Sequence, residues 1–260
     1  MVIGSGPAGM EAALVARARG HDVSIWERDP ALGGKLEAAA LAPSKREVLR
    51  FRDYQVRRLG GLGVEIHTGI DVTAQTVAAE SPDVVLIATG AEPLIPPIPG
   101  IGAAHSHDAV EVLRGGVEIR PGDRVAVIGG SATGCETAEL VRARGAEVTI
   151  LEMRGSIGFG IEAITRRTLL RQLRADGVTM VTNAKVVMIE DDRVLYEDAD
   201  DQVRSVPADV VALALGWRPR GAGFAKGLPD GPEVIVLGDA SAPADFVHAI
   251  NAGADAGLTL

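Results

Sequence analysis

Val2-Ile3-Gly4-Ser5-Gly6-Pro7-Ala8-Gly9 opens the chain with the end of an apolar strand and a glycine turn, and an alanine-rich run from Met10 to Arg19 follows, stopped by Gly20. Val23-Ser24-Ile25-Trp26 then reads as a second strand. This order is a strand–helix–strand unit built around Gly-x-Gly-x-x-Gly. In such a unit Gly4 permits the tight turn, Gly6 lets backbone approach a pyrophosphate, and Gly9 lets helix and strand pack closely. The helix start at Pro7 and Ala8 presents free N–H groups and partial positive charge to phosphates. An acid ending the second strand accepts hydrogen bonds from ribose hydroxyls, and Glu27, followed by Arg28, occupies that position.

The same order returns at Arg124-Val125-Ala126-Val127-Ile128, the loop Gly129-Gly130-Ser131-Ala132-Thr133-Gly134, a helix to about Arg144, and the strand Val148-Thr149-Ile150-Leu151. Gly9 to Glu27 is eighteen residues, and so is Gly134 to Glu152. Ser131 stands where the second glycine is usual; its hydroxyl is able to donate to phosphate, while its Cβ holds the pyrophosphate further off. The second loop is therefore read as a nucleotide site, against the alternative of a degenerate structural copy. Glu152 at the strand end favours the free 2′-hydroxyl of NADH, and Arg154 keeps NADPH as the lesser reading.

Between the copies lies the buried-strand run Asp83 to Gly90, followed by the proline-rich Pro93 to Gly100, which reads as a domain crossing. Asp209 to Gly216 echoes the first run, Val234 to Asp239 makes a further strand, and a second crossing is expected near Gly227 to Pro232. The fold expected is α/β: two Rossmann-like dinucleotide-binding domains, with residues 101–227 inserted into a domain made of 1–100 and 228–260.

Bulk properties narrow the chemistry. A net charge of −9 disfavours nucleic acid or an anionic membrane as partner, and no apolar run approaches the ~20 residues of a membrane helix. The expected compartment is the cytoplasm. Cys135 is the single cysteine, so this chain makes no internal disulfide, Cys-x-x-Cys pair or cluster site. Its place at a helix start could lower its pKa, but a small buried packing residue is the favoured reading. His105 and His107 lie in a polar connector with no third ligand at metal spacing, so no metal site is assigned. Trp26 and Trp217 read as core or rim.

The motifs resemble the FAD and NAD(P) half of the NADH:flavin oxidoreductase / 2,4-dienoyl-CoA reductase / trimethylamine dehydrogenase-like flavoproteins. The residues that carry the likeness are Val2 to Gly9, Leu32-Gly33-Gly34-Lys35-Leu36, Ala42-Pro43-Ser44-Lys45, Ile87-Ala88-Thr89-Gly90-Ala91, Val127-Ile128-Gly129-Gly130 with Gly134-Cys135-Glu136-Thr137-Ala138, and Leu237-Gly238-Asp239-Ala240. The resemblance makes the discontinuous domain the FAD domain and the inserted one the NAD(P) domain. It places Gly33, Gly34 and Lys35 along the FAD ribose and pyrophosphate, Val72 beside the adenine, and Ala88, Thr89 and Gly90 along the cofactor at the crossing. Asp239, after Gly238, would accept from a ribityl or ribose hydroxyl. The helix starting near Phe246, with Ala249 in its first turn, would point its N-terminus at the flavin. Gly216 would lie on the NAD(P) side with Gly129 to Thr133 and Glu152.

The implied activity is hydride transfer from NADH, less favourably NADPH, to FAD, and from there to a partner subunit or domain bearing FMN, an iron–sulfur cluster or another acceptor. No side-chain acid or base is required, and no catalytic residue is named. The rival reading is a non-catalytic subunit that holds ADP or FAD for structure.

Overall fold

The computed structural model describes residues 1–228 and 231–260; residues 229 and 230, inside the expected second crossing, lie outside the described residues. The chain divides into two compact units. Unit 1 comprises Met1–Glu37, Glu47–Glu92 and Trp217–Leu260, and unit 2 comprises Ala38–Arg46 and Pro93–Gly216.

Unit 1 is built on a parallel five-stranded sheet in the spatial order Glu233–Val236, Val84–Ile87, Val2–Ile3, Ser24–Glu27, Glu65–Thr68. Alternation along the strands assigns each side chain to a face. Val2, Ile25 and Leu86 enter one core layer with Met10, Leu14 and Leu59. Ile3, Trp26, Val85 and Ile87 enter the other with Val72 and Val77. The helix Pro7–Ala18 follows the first glycine loop, and the last helix, Phe246–Thr259, lies against it. Their backbones come together at Gly253, where a Cβ would stand 2.2 Å from the Ala8 carbonyl oxygen. Only glycine admits that approach, so Gly253 ties the last helix to the helix of the glycine loop.

Unit 2 repeats the plan with a parallel sheet in the order Ser106–Asp108, Val210–Leu213, Arg124–Ile128, Glu147–Glu152, Thr179–Thr182. Val125, Val127 and Ile150 pack with Val141, Leu169 and Leu173 of the helices Ala132–Ala143 and Ala163–Ala175. Ala126, Ile128 and Leu151 face the opposite way, onto Ile189, Val194 and Tyr196. Those residues belong to an antiparallel meander, Lys185–Ile189, Arg193–Glu197 and Val203–Pro207, which the sequence reading did not anticipate.

The crossings fall elsewhere than expected. Ala91–Pro93 and Trp217–Pro219 pair as a two-stranded ribbon, and the unit boundaries lie within it or at its edge, at Glu92/Pro93 and Gly216/Trp217. Glu92 holds the ribbon from its own side by ion pairs to Arg218 and Arg220. Those two guanidinium groups hold the Glu92 carboxyl below its ordinary range. The short helix Gly221–Ala225 belongs to unit 1, because Phe224, Ala225 and Leu228 pack on its sheet. Residues 217–227 are therefore corrected to unit 1 and residues 93–100 to unit 2.

Residues 38–46, expected in the first domain, also belong to unit 2. Lys45 forms an ion pair with Glu136, and Ser44 Oγ donates to Glu139 Oε2 at 2.7 Å. The Glu136 side chain is only 6% exposed, and burial pushes its carboxyl above the ordinary range, with the Lys45 ammonium pulling back. A carboxyl raised on folding favours the folded state below its unfolded pKa, and that contribution is lost as pH rises through the folded value. Lys45→Met removes the compensating cation. Its melting point should fall further behind wild type at pH 8 than at pH 5. The expected cost at pH 8 is roughly 1–2 kcal/mol, below the ~3–5 of a fully buried broken pair because Lys45 is partly exposed. A gap independent of pH would show that Glu136 needs no cation.

Candidate functional sites

In unit 1 the glycine loop shows two kinds of position. Gly4 has φ +98°, and a Cβ there would stand 2.4 Å from the Ala88 carbonyl oxygen; at Gly9 it would stand 2.0 Å from the Gly4 oxygen. These two glycines serve packing. Gly6 has an extended backbone, φ −63° and ψ 178°, and a Cβ there would meet nothing within 4 Å. Space is thus left open directly over the start of the helix Pro7–Ala18.

That helix has no side-chain cap. Thr73, Asp108, Glu162 and Asp245 cap four other helices through their side chains, whereas Pro7–Ala18, Ala132–Ala143 and Val48–Gly61 are left without one. The first-turn N–H groups of the two glycine-loop helices are consequently available to an anion. The Thr89 hydroxyl, at the end of the strand beside this loop, is buried with no hydrogen-bond partner among the described residues. An open space at Gly6, an uncapped helix and an orphaned buried hydroxyl fit a dinucleotide in unit 1.

The carboxylates differ from expectation. Glu27 is buried, and it turns its oxygens inward: Oε2 accepts from Ser5 N at 2.8 Å and Ser5 Oγ at 2.6 Å, and Oε1 from Asp29 N at 2.9 Å. Three of the roughly four acceptor positions of a carboxylate are thereby used. Glu152 does the same in unit 2, Oε2 accepting from Gly130 N at 2.7 Å and Oε1 from Arg154 N at 2.8 Å. Two positions remain there for a ribose diol. Both residues thus brace their glycine loops, a role the spacing alone did not disclose.

The other expected contacts of unit 1 are placed as follows. Gly33 N donates to Ser5 O at 3.1 Å, and a Cβ at Gly34 would stand 3.2 Å from Gly6 Cα, so this second loop lies on the first. Lys35 Nζ is 3.2 Å from Asp239 Oδ2 and 3.6 Å from the Trp217 ring centroid. Asp239 Oδ1 also accepts from Ala244 N at 3.2 Å, so its carboxylate already serves the protein. Gly238 sits against Ala8, where a Cβ would approach the Ala8 Cβ to 2.8 Å. Ala88 is buried beside the glycine loop, and Gly90 takes φ +73°. Ala249 borders a cavity of about 470 Å³ with Asp239 and His248. Val72 is buried in the sheet core with Trp26, and Arg28 is exposed beside Asp29.

In unit 2, a Cβ at Gly134 would stand 1.9 Å from the Gly129 oxygen, repeating the Gly9 arrangement. Gly129 has φ +103° and approaches Ala214 as Gly4 approaches Ala88. Ser131 is the counterpart of Gly6: it precedes the helix Ala132–Ala143 with φ −73° and ψ −170° and gives no side-chain cap. Its hydroxyl, Ala132 and Thr133 therefore stand at an anion-accepting helix start. Gly216, with φ +107°, ends the unit.

A family model described as pyridine nucleotide-disulphide oxidoreductase matches residues 1–236. The chain belongs to this family. The cofactors of this family are FAD and NAD(H). The chain is 38% identical to an NADH oxidase of Thermoanaerobacter brockii over 97% of its own length and 39% of that protein's. It is 37% identical to a bilirubin reductase of Mediterraneibacter gnavus, with the same 97% and 39% coverage. Among solved structures, a 2-naphthoyl-CoA reductase in complex with 2-naphthoyl-CoA superposes with a TM-score of 0.91 at 32% identity, over 100% of this chain and 39% of that one. The resemblance to the 2,4-dienoyl-CoA reductase and trimethylamine dehydrogenase-like flavoproteins holds. The chain spans about two fifths of the length of these relatives.

Despite the family's name, this chain holds no dithiol, since Cys135 is its only cysteine. The thiol is buried and donates to Gly130 O at 3.6 Å. Burial, followed by the charges of Glu136 and Glu152, pushes its pKa up to about 12. The packing reading of Cys135 is therefore the right one, and helix polarity does not activate it. Among the described residues no group of three metal-ligating side chains converges, and no helix is long and apolar enough to cross a membrane.

Proposed function

We propose that unit 1 is the FAD site and unit 2 the nicotinamide dinucleotide site, and that the chain passes a hydride from NADH to FAD for delivery to a partner domain or subunit bearing FMN, an iron–sulfur cluster or another acceptor. The observation that carries the reading is the pair of uncapped helix starts, one beneath the open position Gly6 and the other directly after Ser131 of its glycine loop. FAD, when bound, supplies the hydride acceptor and the means of passing electrons singly or in pairs. This chain's residues bind and orient. The N–H groups after Gly6 and after Ser131 would hold the two pyrophosphates, and the Thr89 hydroxyl would gain a partner. Glu27 and Glu152 would fix each adenosine ribose through the acceptor positions their loops leave unused. Glu152 favours a free 2′-hydroxyl and hence NADH as donor. Relatives that are an NADH oxidase and a bilirubin reductase support a chain whose electron input is shared and whose electron acceptor is set elsewhere in the whole protein.

Ser131→Asp separates the two sites. The substitution keeps an extended position before the helix but puts a carboxylate where the nicotinamide pyrophosphate would lie. The variant should retain FAD and still be reduced by dithionite, while the rate of its reduction by low NADH falls at least ~100-fold, about 2.7 kcal/mol. Wild-type reduction by NADH in this variant would remove unit 2 as the donor site.

A further inference from the structure

The order of the strands fixes the direction in which a dinucleotide crosses unit 1. The first glycine loop follows the central strand Val2–Ile3, and Glu27 ends the neighbouring strand on one side. With its pyrophosphate at the helix start after Gly6 and its adenosine toward Glu27, a bound dinucleotide sends its other half the opposite way. That half passes the ends of the strands Val84–Ile87 and Glu233–Val236. The orphaned Thr89 hydroxyl lies just past the first of these strands and Asp239 just past the second. Neighbouring strands lie ~4.8 Å apart, so Asp239 stands on the order of 10 Å across the sheet from the loop, toward the redox end of the bound molecule.

Three segments of unit 1, far apart in sequence, bring charge to that end. Lys35, from the loop after Gly33 and Gly34, places Nζ 3.2 Å from Asp239 Oδ2 and 3.6 Å from the centroid of the Trp217 ring. Trp217 opens the last segment of the unit. Asp239 is itself fixed, because its Oδ1 accepts from Ala244 N at 3.2 Å. The ring beneath the ammonium and the carboxylate beside it thus seat the cation in one place. The Lys35 and Asp239 side chains are 39% and 25% exposed, and an ion pair so open to solvent adds little to stability. Its larger effect is on the charge met by a bound molecule. Hydride transfer from NADH yields NAD⁺ and FADH⁻, so the flavin gains a negative charge. A cation nearby favours that state, and an uncompensated Asp239 carboxylate would oppose it.

We infer that Lys35, seated on Trp217 and against Asp239, acts at the redox end of FAD and not on its pyrophosphate, and that it raises the reduction potential of the bound flavin. The inference rests on the reading of unit 1 as the FAD site. Its test is the equilibrium midpoint potential of the FAD-loaded chain, read by stepwise anaerobic reduction with dithionite beside a reference dye, together with FAD affinity by fluorescence titration. Neither readout involves turnover. Lys35→Met should disfavour the reduced form at least ~10-fold, about 30 mV for a two-electron couple, and leave FAD affinity within about threefold. Lys35→Arg should keep the potential within about twofold of wild type on the same scale. Asp239→Asn should shift the potential the other way, and the double variant Lys35→Met with Asp239→Asn should return it toward wild type. Trp217→Leu should act as Lys35→Met does, by about threefold, through loss of the seat. An unchanged potential with FAD affinity lowered ~10-fold or more in Lys35→Met would put the lysine on the pyrophosphate and overturn the inference. Shifts of the same sign in Lys35→Met and Asp239→Asn would overturn it too, and both outcomes would leave the FAD site standing. A wild-type chain that binds no FAD would overturn the inference and the site together.

Discussion

Gly6→Asp should abolish FAD binding in a chain that still folds. The Gly6 backbone is one any residue adopts, and a side chain there enters open space. The substitution therefore carries no steric cost in the protein, and its melting point should stay within about 3 °C of wild type, a shift of roughly 1 kcal/mol. Its carboxylate would point into the space assigned to the pyrophosphate. Two unit charges ~4 Å apart at an effective dielectric of ~20 repel by about 4 kcal/mol. Even with partial relaxation, FAD affinity should fall at least ~100-fold, about 2.7 kcal/mol. Flavin fluorescence titration reads the affinity directly. A folded variant with wild-type affinity would mean that FAD does not cross the first glycine loop.

Gly9→Ala should do the opposite, damaging the fold before the site. The added methyl would stand 2.0 Å from the Gly4 carbonyl oxygen and 3.1 Å from the Ala88 Cβ. Neither neighbour is the flexible end of a side chain, so strand and helix must part. A loss on the order of 3 kcal/mol is expected, and with it a fall of roughly 10 °C in the melting point of unit 1. Gly134→Ala should act alike on unit 2, where the added methyl would stand 1.9 Å from the Gly129 oxygen. Differential scanning calorimetry checks both. A melting point within a degree or two of wild type would show that the helix can withdraw from its strand at little cost.

The opposite outcomes at Gly6 and Gly9 mark what was legible in the sequence. Strand, glycine loop, helix and terminal acid are local and follow one another along the chain, so their order and the matched spacing to Glu27 and Glu152 place both units correctly. The direction in which those acids point was not legible. Ser5 and Glu27 meet through a hydrogen bond spanning 22 residues, as do Gly130 and Glu152, and only the folded loop shows that the carboxylates brace it. Lys35 and Asp239, 204 positions apart, illustrate the same limit. The proline run reads locally as a boundary, whereas the crossing lies at Ala91–Pro93, which pairs with Trp217–Pro219, a partner far along the chain. The meander 185–207 escaped notice because its strands bury only part of one face and carry charges between their apolar residues. Gly158 is illegible for a different reason: its likeness to Gly33 becomes visible only through its backbone bond to Gly130, the counterpart of the bond from Gly33 to Ser5.

The central claim is that one chain holds a flavin and the dinucleotide that reduces it. Anaerobic titration of the FAD-loaded chain with NADH, followed by flavin absorbance, tests this most directly. The predicted result is bleaching of the flavin band that is complete near one equivalent of NADH per FAD. A chain that binds only ADP in unit 1, or a bound flavin that NADH leaves oxidised but dithionite reduces, would contradict it.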